Sequence, residues 1–311
     1  MGRVALLFPG QGAQSVGMGR DVAERSPAAA KLLARIDAAL ASPVTPVMFE
    51  GPEKALRDTA TSQPAIVAHG LAVLAAMEER GARPAFEAAA GLSLGEYAAL
   101  AAAGAIDPVE AVRLVAQRGA LMKEAAEARE GSMVSVIGLE AGKVEAAVRE
   151  AQGAGTVVVA NYNCPGQLVI SGECAAVERA AELCREAGAK RVIVLKVSGA
   201  FHSPLMESAA AALAPRLEEA AFAPGRVPVI ANATAEYVRD PDEIRRALTR
   251  QVTGSVLWER SMRRLVDDGF DTFYEVGPGR VLAGLMKRIA PEVGVTSVGT
   301  ASALEELPIE D

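Results

Sequence analysis

Ser132-Met133-Val134-Ser135-Val136-Ile137-Gly138 opens a stretch that closes on Lys190-Arg191-Val192-Ile193-Val194-Leu195-Lys196-Val197. Both segments are apolar and β-branched over strand length. Between them Val144, Ala147, Val148 and Ala151 fall at i, i+3, i+4 and i+7, the spacing of an amphipathic helix. Val177, Ala180, Ala181 and Cys184 repeat it. Residues 156–160 and 167–171 read as two strands, joined by the turn-rich loop Asn161-Tyr162-Asn163-Cys164-Pro165-Gly166. The order β-α-β-β-α-β is that of a ferredoxin-like unit. It predicts a small inserted domain over 128–197.

Outside that insertion the pattern changes. Residues 3–8, 227–231 and 270–276 read as buried strands, with a less regular one at 293–298. Helical patterns separate them, which argues for an α/β domain with a mostly parallel sheet. This larger domain is split into 1–127 and 198–311.

Composition narrows the functional classes. The chain has 311 residues, 50% hydrophobic and 23% charged, which excludes global disorder. The formal net charge is −7 and no basic run stands out, so a nucleic-acid partner is not expected. Met1 to Pro9 carries only a short apolar core, too short for a secretory signal, and no uninterrupted apolar run reaches membrane-spanning length. Cys164, Cys174 and Cys184 include no C-x-x-C pair and read as reduced, mostly buried thiols of a cytoplasmic protein. With only His69 and His202 and no cysteine cluster, no metal site is expected.

The sharpest chemical signal is Gly91-Leu92-Ser93-Leu94-Gly95, a G-x-S-x-G nucleophile elbow. Its glycines permit a tight strand-to-helix turn that exposes the serine hydroxyl at a helix start. Free N–H groups and the helix dipole there favour a developing negative charge. A helix follows over 94–103, whereas the Ala-rich segment 86–90 before it is a weak strand former. A serine nucleophile needs a base. His69 lies in an apolar helical stretch and reads as a packed, hydrogen-bonded side chain. His202 sits in the polar loop Ser198-Gly199-Ala200-Phe201-His202-Ser203-Pro204, just past a strand, and is the candidate base. No Asp or Glu declares itself as a third member. Gly10-Gln11-Gly12 begins a G-x-G-x-x-G, but Ser15 occupies the third glycine position, so nucleotide binding is not expected.

Taken in order, these motifs resemble the malonyl-coenzyme A:acyl-carrier-protein transacylases and the acyltransferase domains of fatty acid and polyketide synthases. The resemblance rests on Phe8-Pro9-Gly10-Gln11-Gly12-Ala13-Gln14, Thr61-Ser62-Gln63-Pro64-Ala65 and Gly91-Leu92-Ser93-Leu94-Gly95-Glu96-Tyr97. It continues through Gln117-Arg118-Gly119, Asn161-Tyr162-Asn163, Pro165-Gly166-Gln167, Gly199-Ala200-Phe201-His202-Ser203, Asn232, Gln251 and Glu275-Val276-Gly277-Pro278-Gly279. It implies an α/β-hydrolase-like large domain with a ferredoxin-like insertion. It also implies a malonyl ester on Ser93 formed from malonyl-coenzyme A, with no bound cofactor, and passed to the phosphopantetheine thiol of acyl carrier protein. His202 is implied as the base, the Gln251 carbonyl as its orienting acceptor, and the Gln11 and Leu94 N–H groups as an oxyanion hole. Arg118 is implied to pair with the malonyl carboxylate, and Phe201, Gln63 and Asn163 complete the implied substrate site. Lys190, Arg191, Lys287 and Arg288 are candidates for docking an acidic carrier protein. One position departs from the family: Leu92 stands where His usually precedes the nucleophile. A serine hydrolase and a non-catalytic binding module are the competing readings.

Overall fold

The computed structural model describes residues 2–309. The strands are β1 (Arg3–Phe8), β2 (Ala88–Gly91), β3 (Ser132–Ile137), β4 (Val157–Cys164), β5 (Gln167–Gly172), β6 (Arg191–Val194), β7 (Val229–Ile230), β8 (Tyr237–Val238), β9 (Phe270–Val276) and β10 (Gly294–Val298). Six of them form one sheet in the order β10-β9-β1-β2-β7-β8, and four form a second in the order β4-β5-β3-β6. The large sheet is parallel except where β8 pairs with β7, and the small one is antiparallel throughout. The expected α/β chain with a mostly parallel sheet is therefore what forms, alongside a separate antiparallel sheet.

The continuous apolar character of β1 follows from burial on both faces. Its register with β2 runs from Ala5 opposite Ala88 to Phe8 opposite Gly91. Ala5, Leu7, Ala88 and Ala90 enter one core with Trp258 and Phe273; Leu6, Phe8 and Ala89 enter the other with Leu71 and Tyr97. Alanine is a poor strand former, but Ala88, Ala89 and Ala90 are wholly buried, and packing overrides propensity. Their small side chains let helices approach the sheet centre closely.

The small sheet buries Val134, Val136 and Ile170 against the Ala141–Ala151 and Cys174–Glu186 helices. Its other face contributes Met133, Ala160 and Val169 to the larger core. The loop expected at 161–166 is mostly strand. β4 continues to Cys164 because its polar backbone finds two partners, β5 on one side and residue 256 on the other. Tyr162 N–H donates to the Val256 carbonyl at 2.9 Å, and Val256 N–H to the Ala160 carbonyl at 2.8 Å. β6 is shorter than expected and stops at Val194, after which Leu195, Lys196 and Val197 line a cavity. The two-residue β8 carries no periodic signal and was not expected. Cys164 and Cys184 are buried and unpaired as expected, but Cys174 is exposed.

The Thr59–Arg80 helix is long and apolar enough to cross a membrane, but most of it is buried within the protein. It packs against the Pro27–Ala39, Gly95–Ala102 and Pro108–Ala128 helices, which consume its apolar surface. His69 on this helix is packed as expected: it is fully buried, with neither ring nitrogen in strict hydrogen-bond geometry among the described residues and the Gly299 backbone as a polar neighbour. Burial lowers its pKa to about 4, against the opposing pull of Asp21. Folded, the ring is neutral down to about pH 4; unfolded, it takes a proton near 6.5. Between those values the unfolded chain holds the extra proton, so this part of the stability is present above 6.5 and lost as pH falls. His69→Leu is expected to flatten the acid-side loss of unfolding free energy by up to roughly 1.4 kcal/mol per pH unit. Urea unfolding across that range measures it, and an unchanged slope contradicts it.

Candidate active site

The elbow is built by two glycines that no other residue replaces. A Cβ on Gly91 would lie 1.9 Å from the Gly95 carbonyl oxygen, and one on Gly95 would lie 2.4 Å from that of Phe8. Between them the chain turns from β2 into the Gly95–Ala102 helix, and Ser93 takes φ 53°. Asn232, just after β7, holds the turn from both sides. Its Oδ1 accepts from Ser93 N–H at 2.6 Å, and its Nδ2 donates to the Gly91 carbonyl at 2.7 Å.

His202 also adopts a left-handed backbone, with φ 55°, in the segment between β6 and the Glu207–Glu219 helix. Ser203 braces it by donating to the Ala200 carbonyl and accepting from Leu205 N–H. The imidazole Nε2 lies 2.7 Å from Ser93 Oγ, and Nδ1 lies 2.9 Å from the Gln251 carbonyl oxygen. A carbonyl can only accept, so Nδ1 carries the proton and Nε2 is left to accept from the serine. Among the described residues no carboxylate touches this imidazole. Burial, then the charge of Arg118, lowers the His202 pKa to about 4, against its backbone hydrogen bonds to Gln251 and Gly254. The ring is therefore neutral at pH 7, as a base must be.

Arg118 is 1% exposed, not the surface arginine that its helix would ordinarily carry. Its Nη1 donates to Gln63 Oε1 at 2.5 Å; its Nη2 donates to Ser93 Oγ at 3.1 Å and Gln251 Oε1 at 3.0 Å. Ser93 Oγ thus faces a cation on one side and a neutral acceptor on the other. Among the described residues the N–H groups of Gln11 and Leu94 find no acceptor, and both residues line the cavity. The Gln11 side chain is tied to Thr59 Oγ1 at 3.3 Å, which fixes the loop that carries it.

This cavity of about 470 Å³ brings together Gln11, Gln63, Ser93, Leu94, Arg118, Asn163, Phe201 and His202. Gln251 stands behind it, fully buried. Leu92 and Lys196 also line it. The small sheet supplies one wall through Met133, Asn161, Asn163 and Val169.

Comparison with known proteins agrees with this geometry. Residues 5–300 match the family model described as acyl transferase domain. The chain is 41% identical over 306 residues to the malonyl CoA-acyl carrier protein transacylase of Bacillus subtilis (strain 168), covering 98% of this chain and 96% of that protein. The chain belongs to the acyl transferase domain family. This acyl transferase also superposes, with TM-score 0.94 and 39% identity, on the acyl carrier protein S-malonyltransferase of Vibrio cholerae, covering 97% of this chain and 99% of that one. The same score and identity relate it to a malonyl-transacylase solved in complex with its type II PKS acyl-carrier protein, covering 97% and 98% of the two chains.

The roles of three side chains in the site were not legible in the sequence. Asn232 and Glu96 both fall inside the motifs quoted above, but nothing in their spacing indicates that they bond to each other. The Gln251 side chain is a third: its Nε2 donates to the Ser93 carbonyl at 2.9 Å and to Glu96 Oε2 at 2.8 Å.

The position of the His202 pKa yields a test. A base works when neutral, so if His202 serves Ser93 in that role, Ser93 acylation is expected to stay level from pH 7.5 to about 5 and to fall only toward about 4. The pH profile of single-turnover acylation measures this. A half-loss near the ordinary histidine value of about 6.5 contradicts it.

Proposed function

We propose that this acyl transferase moves a malonyl group from malonyl-coenzyme A to the phosphopantetheine thiol of acyl carrier protein through a malonyl ester on Ser93. The observation that carries this reading is the Ser93–His202 contact at 2.7 Å with the buried guanidinium of Arg118 beside it.

Ser93 Oγ attacks the thioester carbonyl while its proton passes to His202 Nε2. The new oxyanion accepts from the N–H groups of Gln11 and Leu94, fixed main-chain donors in a partly closed cleft. The C–S bond then breaks, and coenzyme A leaves as the thiol with the proton from His202. In the second half the carrier thiol gives its proton to His202 and attacks the ester; Ser93 departs and recovers that proton. The Gln251 carbonyl keeps Nδ1 protonated throughout. Arg118 offers a planar fork to the malonyl carboxylate, which an acetyl group lacks. Gln63 holds the other arm of that fork. Phe201 crowds a branch at the malonyl α-carbon, and Asn163 belongs to the wall that receives the acyl chain. Leu92 leaves this wall without the polar side chain usual before the nucleophile. No bound cofactor takes part, and a cytoplasmic location belongs to the same reading.

The finer architecture is part of the proposal: a hydrolase-like domain over 1–127 and 198–311, with a ferredoxin-like domain inserted at 128–197. The order β4-β5-β3-β6 supports the insertion. The G-x-S-x-G turn at the end of a central parallel strand supports the larger domain. Of the basic candidates for carrier docking, Arg288 is already engaged, donating to Gln167 Oε1 and the Pro165 carbonyl.

Brief exposure to malonyl-coenzyme A is expected to leave a malonyl adduct that maps to Ser93 by peptide mass spectrometry and is absent from Ser93→Ala. Steady release of free malonate without carrier protein, as fast as transfer with it, would instead favour a thioesterase. Arg118→Ala is expected to lower kcat/KM for malonyl transfer by roughly ten- to hundredfold, the scale of a charge-assisted pair, while acetyl transfer changes far less. An unchanged malonyl-to-acetyl ratio contradicts the role given to Arg118.

A further inference from the structure

Glu96 occupies the first turn of the Gly95–Ala102 helix. Acids there ordinarily stand in water, where the helix dipole favours them. This one is 1% exposed. A carboxyl is kept in such a place only when it has partners. Its Oε2 has two: Asn232 N–H at 2.9 Å and Gln251 Nε2 at 2.8 Å. Its Oε1 has none among the described residues.

Those two partners are the seats of the reacting groups. Asn232 brackets the Ser93 turn through Oδ1 and Nδ2. Gln251 accepts from His202 through its carbonyl, and its side chain accepts from Arg118 and donates to the Ser93 carbonyl. Asn232 follows β7, whereas Gln251 ends the Pro241–Thr253 helix, and no hydrogen bond joins the two directly among the described residues. One oxygen of Glu96 spans that gap.

We infer that Glu96 is a positioning residue for acyl transfer, whose single shared acceptor fixes the nucleophile's seat relative to the seat of the base. The inference rests on the acyl-transfer reading above. Glu96 touches neither Ser93 Oγ nor the His202 ring, so it acts through Asn232 and Gln251. When the clamp is lost, Gln251 turns, and the His202 acceptor and the Arg118 partner move together. The loss then falls on chemistry rather than on thioester binding. Burial pushes the Glu96 carboxyl up to about 7, so near neutrality a proton on the free Oε1 leaves Oε2 accepting both bonds. Glutamine presents the same single acceptor without the charge. Aspartate keeps the charge but draws the acceptor back by one methylene.

These variants separate the acceptor from a counter-ion for Arg118. Three quantities are read for E96A, E96Q and E96D: kcat and KM for malonyl transfer to carrier protein, the rate of Ser93 labelling by a fluorophosphonate, and Tm. E96A and E96D are expected to lose about a hundredfold in kcat, the scale of a displaced catalytic group, with KM for malonyl-coenzyme A within about threefold and labelling slowed in parallel. E96Q is expected to return both rates to within about fivefold of the parent. If E96A does not fold, the order of E96Q above E96D decides alone. The reverse order, or an E96A whose rates match the parent's, overturns the inference. Malonylation of the parent at Ser93 tests the transfer reading separately, and the fluorophosphonate rate reads Glu96 whichever thioester is the donor.

Discussion

Ser93 and His202 both sit in left-handed backbone, at φ 53° and φ 55°. Such a conformation costs a non-glycine residue of order 1–3 kcal/mol and persists only where its surroundings over-determine it. At Ser93 the surroundings are the Gly91 and Gly95 flanks and the Asn232 bracket; at His202 they are the Ser203 brace and the Gln251 carbonyl. The strain has a geometric use. It turns each side chain so that Ser93 Oγ, just past β2, and His202 Nε2, in the segment before the Glu207–Glu219 helix, meet at 2.7 Å. Relaxing either backbone would break the contact on which base catalysis depends.

The large sheet makes a second contribution through register. Phe8 is the parallel partner of Gly91, so the loop after β1 and the elbow after β2 leave the sheet side by side. That adjacency brings the Gln11 and Leu94 N–H groups to the same cavity as Ser93. Main-chain donors placed by adjacent strands need no reorganisation when charge develops, which is the condition for strong oxyanion stabilisation. The register of β1 against β2 therefore also sets the spacing of these two N–H groups.

Much of this was legible in the sequence. Period 3.6 at Val144 and Val177 and the β-branched segments around them marked the two helices and the strands of the antiparallel sheet, and the glycines at 91 and 95 marked the tight turn at Ser93. What escaped depends on contacts across long stretches of chain. Ala88–Gly91 lacks strand propensity because its strand character comes wholly from burial between two helical layers. Residues 161–164 read as loop because the backbone of residue 256, which completes their pairing, is remote in sequence. The burial of Arg118 is set by Gln63 and Gln251, which come from other helices remote in sequence. His69 was expected to find a hydrogen bond; burial in the apolar packing of its helix leaves it the Gly299 backbone as a polar neighbour.

On the function proposed above, Arg118 would link substrate charge to base strength. In the free protein its guanidinium depresses the His202 pKa, second only to burial. On that function, a carboxylate paired to Arg118 would offset that charge and so raise the basicity of the imidazole when a diacid thioester is bound. An acyl group without a carboxylate leaves the guanidinium uncompensated and the base weak. Selectivity on this account is exerted in the chemical step as well as in binding, which is where discrimination raises kcat as well as lowering KM. The Gln251 amide reinforces the link, because one side chain accepts from Arg118 while the carbonyl of the same residue orients His202. One residue thus contacts both the guanidinium and the imidazole.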